Sequence, residues 1–116
     1  MKDFMMLFHS EANPNMEPTP EELQAEIKLW QEWIGGIAAQ GKLKHEGEAL
    51  GFEGKTLHAD GAITDGPYAE LKEIIGGFII VSAESIEEAV KLADGCPVFS
   101  EGGKVEVRDI ILIEGM

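Results

Sequence analysis

Between Lys2 and Ser10 apolar side chains fill nearly every position, with Phe4, Met6 and Phe8 on one parity and Met5, Leu7 and then His9 on the other. A period of two is that of a strand, and here both faces are apolar until His9. After the turn residues Asn13-Pro14-Asn15 and Glu17-Pro18 the period changes. Leu23, Ile27, Trp30, Ile34 and Ile37 recur at intervals of four and three, the spacing of one helical face, with Leu29 and Trp33 flanking the stripe. Thr19-Pro20-Glu21-Glu22 starts that helix: Thr19 caps, Pro20 takes the first position, and Glu22 completes a capping box facing the positive end of the dipole. Gly41 is placed to end it.

Lys42 to Leu50 is predicted as a weaker strand with Leu43, His45 and Gly47 on one side, and Gly51 to Gly54 interrupts it. Lys55 to Ala59 and Ala62-Ile63-Thr64 flank Asp60-Gly61, a hairpin signal. Glu70, Lys72 and Glu73 follow Pro67 and fit a short helical turn of mixed charge anchored by Leu71, Ile74 and Ile75. Phe78 to Ala83 is the clearest strand, and Ser85-Ile86-Glu87-Glu88 is a second capping box. Ile86, Ala89, Val90 and Ala93 form the inner face of the helix it opens, which Gly95 and Pro97 close. Lys104 to Ile113 is predicted as the last strand, with Val105 and Val107 on one face and Glu106, Arg108, Ile110 and Leu112 on the other.

The order is strand, helix, strand with a hairpin extension, strand, helix, strand. This is an α+β fold, a ferredoxin-like βαββαβ unit with an antiparallel sheet and both helices on one face. The whole chain, 1–116, reads as a single domain. The first, third and last strands are apolar on both faces, so a lone copy would expose an apolar patch of roughly several hundred Å², which soluble monomers avoid. A homodimer packed sheet to sheet is the expected remedy, with Leu29 and Trp33 as further candidates for contacts with the partner or the hairpin.

Composition changes this picture only at the margins. A formal net charge of −13 argues against nucleic acid and anionic membrane as partners. No apolar run approaches the roughly 20 residues that cross a bilayer, and the start of the chain lacks the pattern of a secretory signal. A single cysteine, Cys96, fits a reducing cytoplasm, which is the expected location. No histidine and acidic residues fall at metal-ligand spacing, and no glycine-rich phosphate motif follows a strand, so neither metal nor cofactor is expected.

The densest stretch is Asp65-Gly66-Pro67-Tyr68-Ala69-Glu70-Leu71-Lys72-Glu73, followed by Gly76-Gly77-Phe78. It resembles the signature of the YCII-related family, in particular its DGPF-motif branch. Glu106-Val107-Arg108 is similar to that branch's closing motif, and Gly47-Glu48-Ala49-Leu50 to its second-strand region. The resemblance implies a dimeric α+β barrel, in which two ferredoxin-like sheets enclose a cavity. It implies a histidine–aspartate pair as the proposed active site, acid–base chemistry on small aromatic substrates in a few relatives, and association with sigma factors in others. The first helix here carries no histidine, where some relatives place theirs, so only Asp65 carries over by position.

Asp65 reads either as a cap on the turn before Tyr68 or as a group at a cavity mouth that acts as a base or orients a histidine. His9, at a strand end on the Met5–Leu7 face, is the first histidine candidate for acid–base work, ahead of His45 and His58. Arg108 beside Glu106 reads as a half-buried ion pair or as a bidentate grip on a substrate carboxylate. Tyr68 offers a hydroxyl or acts as a lid over the core, and Glu70, Lys72 and Glu73 line a polar pocket or a partner contact.

Two functions are compatible with these residues. One is a cofactor-independent lyase- or isomerase-type enzyme for a small anionic or aromatic molecule, using His9 and Asp65 for proton transfer. Tyr68, Glu70, Lys72, Glu73 and Arg108 would then bind the substrate. The other is a non-catalytic ligand-binding or regulatory module associated with sigma-factor systems.

Overall fold

A computed structural model describes residues 1–11, 19–51, 53–65 and 73–113. Six strands and two helices follow one another as β1 (Lys2–Glu11), α1 (Pro20–Ala39), β2 (Leu43–Ala49), β3 (Lys55–Leu57), β4 (Ile63–Asp65), β5 (Glu73–Ala83), α2 (Ile86–Leu92) and β6 (Lys104–Asp109), with a 3-10 turn at Pro97–Glu101 before the last strand. The main sheet has the order β2-β5-β1-β6, and every pairing in it is antiparallel. That is the ferredoxin-like arrangement, with β3 and β4 as a separate two-stranded hairpin.

Alternation along β1 sets the two faces. Phe4, Met6 and Phe8 point into the core, which they share with Ile79, Val81 and Ala83 of β5, Ile37 of α1, Ala89 of α2 and Ala93 at its C-cap, and Cys96 and Val98. Phe8 meets Trp30 and Trp33 edge to face, with ring centroids 4.8 and 5.7 Å away. Trp33 also donates its indole N–H to the Asp94 carbonyl at 3.2 Å. Trp33 therefore packs, half-buried, against the core of its own chain, while Leu29 stays 53% exposed. The two predicted caps form: Thr19 Oγ1 accepts from the Glu22 N–H at 3.1 Å, and Ser85 Oγ from that of Glu88 at 3.2 Å.

Five expectations change. Glu73 to Ile75 belong to β5, because their backbone pairs with Ser10 and its neighbours on β1 and leaves no helical turn there. Gly76 is the extra residue of a bulge opposite Phe8 and His9, and the bulge resets the alternation so that Ile74 is buried and Ile75 faces outward. In β2, register shifts put Leu43 beside Val81 on the core side and His45 beside Ile80 on the other, so they do not share a face. Leu23 and Ile27 are exposed because only the C-terminal half of α1, from Trp30 to Ile37, lies over the core; on α2, Ile86 and Val90 are exposed while Ala89 is buried. Finally, β6 stops at Asp109. The Ile110 N–H reaches the Asp3 carbonyl at 3.0 Å, where β1 itself is nearly finished, and residues 110–113 continue outside the strand.

Candidate functional site

No helix or strand among the described residues covers the face opposite the helices, whose Met5, Leu7, Phe78 and Ile80 are half-buried, and its composition follows from the registers. Met5 lies between Ile80 and Arg108, Leu7 between Phe78 and Glu106, and His9 between Ile75 and Lys104. An apolar strip of Met5, Leu7, Phe78, Ile80 and Ile75 is thus bordered by polar groups along β6 and at the strand ends. At the far end Ser82 Oγ donates to Asp3 Oδ1 at 3.0 Å.

The polar border contains one close constellation. His9 Nε2 and Glu106 Oε1 are 2.8 Å apart, with the His9 side chain 17% exposed. Glu106 sits directly opposite Leu7, so it reaches His9 along the diagonal, a distance long side chains span. Its second oxygen, Oε2, lies 3.9 Å from Arg108 Nε, the outer limit of an ion pair. The carboxylate therefore stands between an imidazole and a guanidinium. With Nε2–H donating to Glu106, the Nδ1 nitrogen of a neutral His9 carries the lone pair that can accept a proton. Arg108 is more open than a half-buried pair requires, at 70% exposure, and its terminal nitrogens remain available to an anion.

The other candidates lie elsewhere. His45 is exposed, and its Nδ1 accepts the Gly47 N–H at 2.8 Å, which ties the imidazole to the β2 bulge. His58 Nε2 meets Thr64 Oγ1 at 3.0 Å across the hairpin. Asp65, 91% exposed, accepts from Lys55 Nζ at 2.6 Å on the same hairpin. The structure pairs His9 with Glu106 and Asp65 with Lys55. Tyr68, Glu70 and Lys72 fall outside the described residues, as does the Glu73 side chain.

Glu106 is the residue that sequence reasoning named only as a neighbour of Arg108. Its contact with His9 bridges 97 positions and becomes visible only once the β1–β6 register is known. Gly103 belongs to the support of this end of the face. A side chain there would come within 2.3 Å of the His9 carbonyl, so glycine lets the turn into β6 pass close to β1.

Cys96 is not part of this constellation. It is buried in the core, and burial pushes its thiol up to about 11, which keeps it a poor nucleophile. Among the described residues no three His, Cys, Asp or Glu side chains cluster so as to hold a metal ion, and no helix is long and apolar enough to cross a membrane.

No curated protein matches the chain. A family model, that of the YCII-related domain, matches residues 4–114, nearly its whole length and every element of the sheet that carries His9, Glu106 and Arg108. The chain belongs to the YCII-related family.

Proposed function

We propose that two copies pack with their uncovered sheet faces together and that the enclosed cavity is the site of a cofactor-independent reaction of the lyase or isomerase type. The molecule it takes is small and anionic or aromatic. The observation that carries this reading is the 2.8 Å His9–Glu106 contact at the border of an apolar strip. In this arrangement His9 Nδ1 removes a proton from the bound molecule. Glu106 holds the ring in the required tautomer and stabilises the imidazolium that forms, as a carboxylate does behind a catalytic histidine. Arg108 holds the anionic group, and the strip of Met5, Leu7, Phe78 and Ile80 takes the rest.

This reading keeps Asp65 as a second proton-transfer group, brought to the cavity by the hairpin when the two copies assemble, and Tyr68, Glu70, Lys72 and Glu73 as contacts to the bound molecule. The Asp65-Gly66-Pro67 motif supports placement in the DGPF-motif branch.

The test uses small aromatic carboxylates bearing an acidic C–H bond, followed in D₂O by proton NMR. The wild type should exchange the acidic proton, and His9→Gln should lose exchange by about 10²–10⁴-fold while still binding the acid. Arg108→Ala should weaken binding by about tenfold, the loss of one charge-assisted contact. Exchange by His9→Gln at the wild-type rate would remove the base from this scheme. Binding with no exchange by any form would favour the regulatory module. Sedimentation as a monomer at every concentration would remove the cavity itself.

A further inference from the structure

We propose that residues 110–113 form an arm that seats on the open sheet face of the second copy, so that each cavity is completed by residues of both chains. The proposal rests on the face-to-face dimer inferred above and adds a specific occupant for the rim of its cavity.

Four apolar residues in succession, Ile110, Ile111, Leu112 and Ile113, are 38%, 75%, 94% and 63% exposed. No other run of the described residues presents so much aliphatic surface, and isolated exposed apolar residues differ from a contiguous set of this kind. The direction of the arm excludes its own sheet face. β6 runs antiparallel to β1, Asp109 lies opposite Phe4, and the last tie is from the Ile110 N–H to the Asp3 carbonyl. β1 itself starts at Lys2, so the arm leaves the ladder at the end of the sheet opposite His9.

The size of the face supplies a second argument. Strands about 4.8 Å apart that rise about 3.4 Å per residue give this four-stranded face a footprint of roughly 500 Å². A stable complex buries about 800 Å² on each partner. Side-chain relief gives the face more accessible area than this footprint, and together with the four aliphatic side chains of each arm it reaches the size of a stable interface. Under two-fold symmetry each arm meets the same rim of the open face on the other chain, which closes the assembly at two copies. A membrane surface is a poor alternative occupant, since the chain carries a net charge of −13.

Cross-chain cysteine pairing tests this directly, because the buried, weakly acidic Cys96 stays silent to mild oxidants. Leu112→Cys chains carrying ¹⁵N are mixed with unlabelled Met5→Cys, Ile75→Cys or Ile80→Cys chains and oxidised. The expected product is a mixed-mass disulfide dimer with at least one of the three. A dimer by sedimentation that gives no such link with any of them overturns the arm and leaves the face-to-face dimer standing, whereas a monomer overturns both. Separately, Ile111→Ser/Leu112→Ser should weaken dimerisation at least tenfold and raise binding of an apolar dye to the open face. Unchanged dimerisation and dye binding in that variant count against the arm.

Discussion

One strand, β1, serves two faces that differ in almost every physical respect. On the inner parity, Phe4, Met6 and Phe8 are nearly inaccessible and close-packed against two helices, with three aromatic rings meeting edge to face. On the outer parity, Met5 and Leu7 have the same hydrophobic character but stay half-buried, with no helix or strand among the described residues over them, and the series ends in His9 bonded to Glu106. Sequence hydrophobicity is therefore a poor guide to burial in one copy, but the surplus is informative. An apolar face that the fold does not cover, bordered by a carboxylate between an imidazole and an arginine, has the make-up of a cavity wall rather than a core.

The most demanding way to break this comparison is to shorten the same side chain on each parity. Met6, fully buried, should lose about 2–5 kcal/mol of stability as Met6→Ala, from lost transfer energy and the cavity left behind. Met5→Ala should cost the folded single chain less than about 1 kcal/mol and appear mainly as a stability that depends on protein concentration. Urea denaturation at several concentrations distinguishes the two. A concentration-independent loss for Met5→Ala as large as that for Met6→Ala would mean the faces are energetically alike.

A smaller effect is expected where the backbone, not a side chain, fixes the outer face. Gly47 has φ +69°, and a Cβ there would come within 1.5 Å of the Phe78 carbonyl, so β2 can lie against β5 only with glycine at that bulge. Gly47→Ala should cost about 1–3 kcal/mol and speed hydrogen exchange across the β2–β5 ladder. Gly36→Ala is the control, since it meets nothing within 4 Å in the last turn of α1 and should stabilise by about 0.5–1 kcal/mol. If both substitutions behave alike, the close approach at Gly47 does not hold in solution.

How much of this was legible in the sequence follows the range of each interaction. The caps at Thr19 and Ser85 and the Asp60-Gly61 hairpin depend on residues two to four positions apart, and they formed where the local pattern placed them. The strand order follows from the helix and strand pattern with few alternatives. Glu73 to Ile75 read as a helical turn because Pro67 and mixed charge dominate the local signal, yet pairing with β1 drew them into β5. Ile110 to Ile113 read as strand because β-branched residues favour it, but β6 stops at Asp109, beyond which β1 extends by only Asp3 and Lys2. The meeting of His9 with Glu106 had no local signature, since it depends on a register between the two ends of the chain. Arg108 was visible as a charge among apolar residues, though its openness was not.

The weakest expected effects lie on the helix side, where two carboxyl groups respond to pH in opposite senses. The Glu101 carboxyl, after the 3-10 turn, is pushed up to about 7, first because it shares a proton with Glu26 of α1, then by burial and by the Glu26 charge. The folded chain therefore keeps a proton that the unfolded chain releases near the ordinary value of 4.5. That contribution to stability is complete below 4.5 and is lost as pH rises through 7. Solvent screening keeps it under about 1 kcal/mol. Glu101→Gln should leave Tm unchanged near pH 5 and raise it by a few degrees near pH 8. Glu88 has the opposite sign. The hydrogen bond from Lys42, 2.5 Å long, holds its carboxyl below the usual range, so its contribution is present above 4.5 and is lost as pH falls. Glu88→Gln should therefore lower Tm near pH 7 and converge on the wild type in acid. Both groups lie outside the open face, so neither substitution should alter proton exchange by His9; a change in that exchange would mean that the two faces of the sheet are coupled.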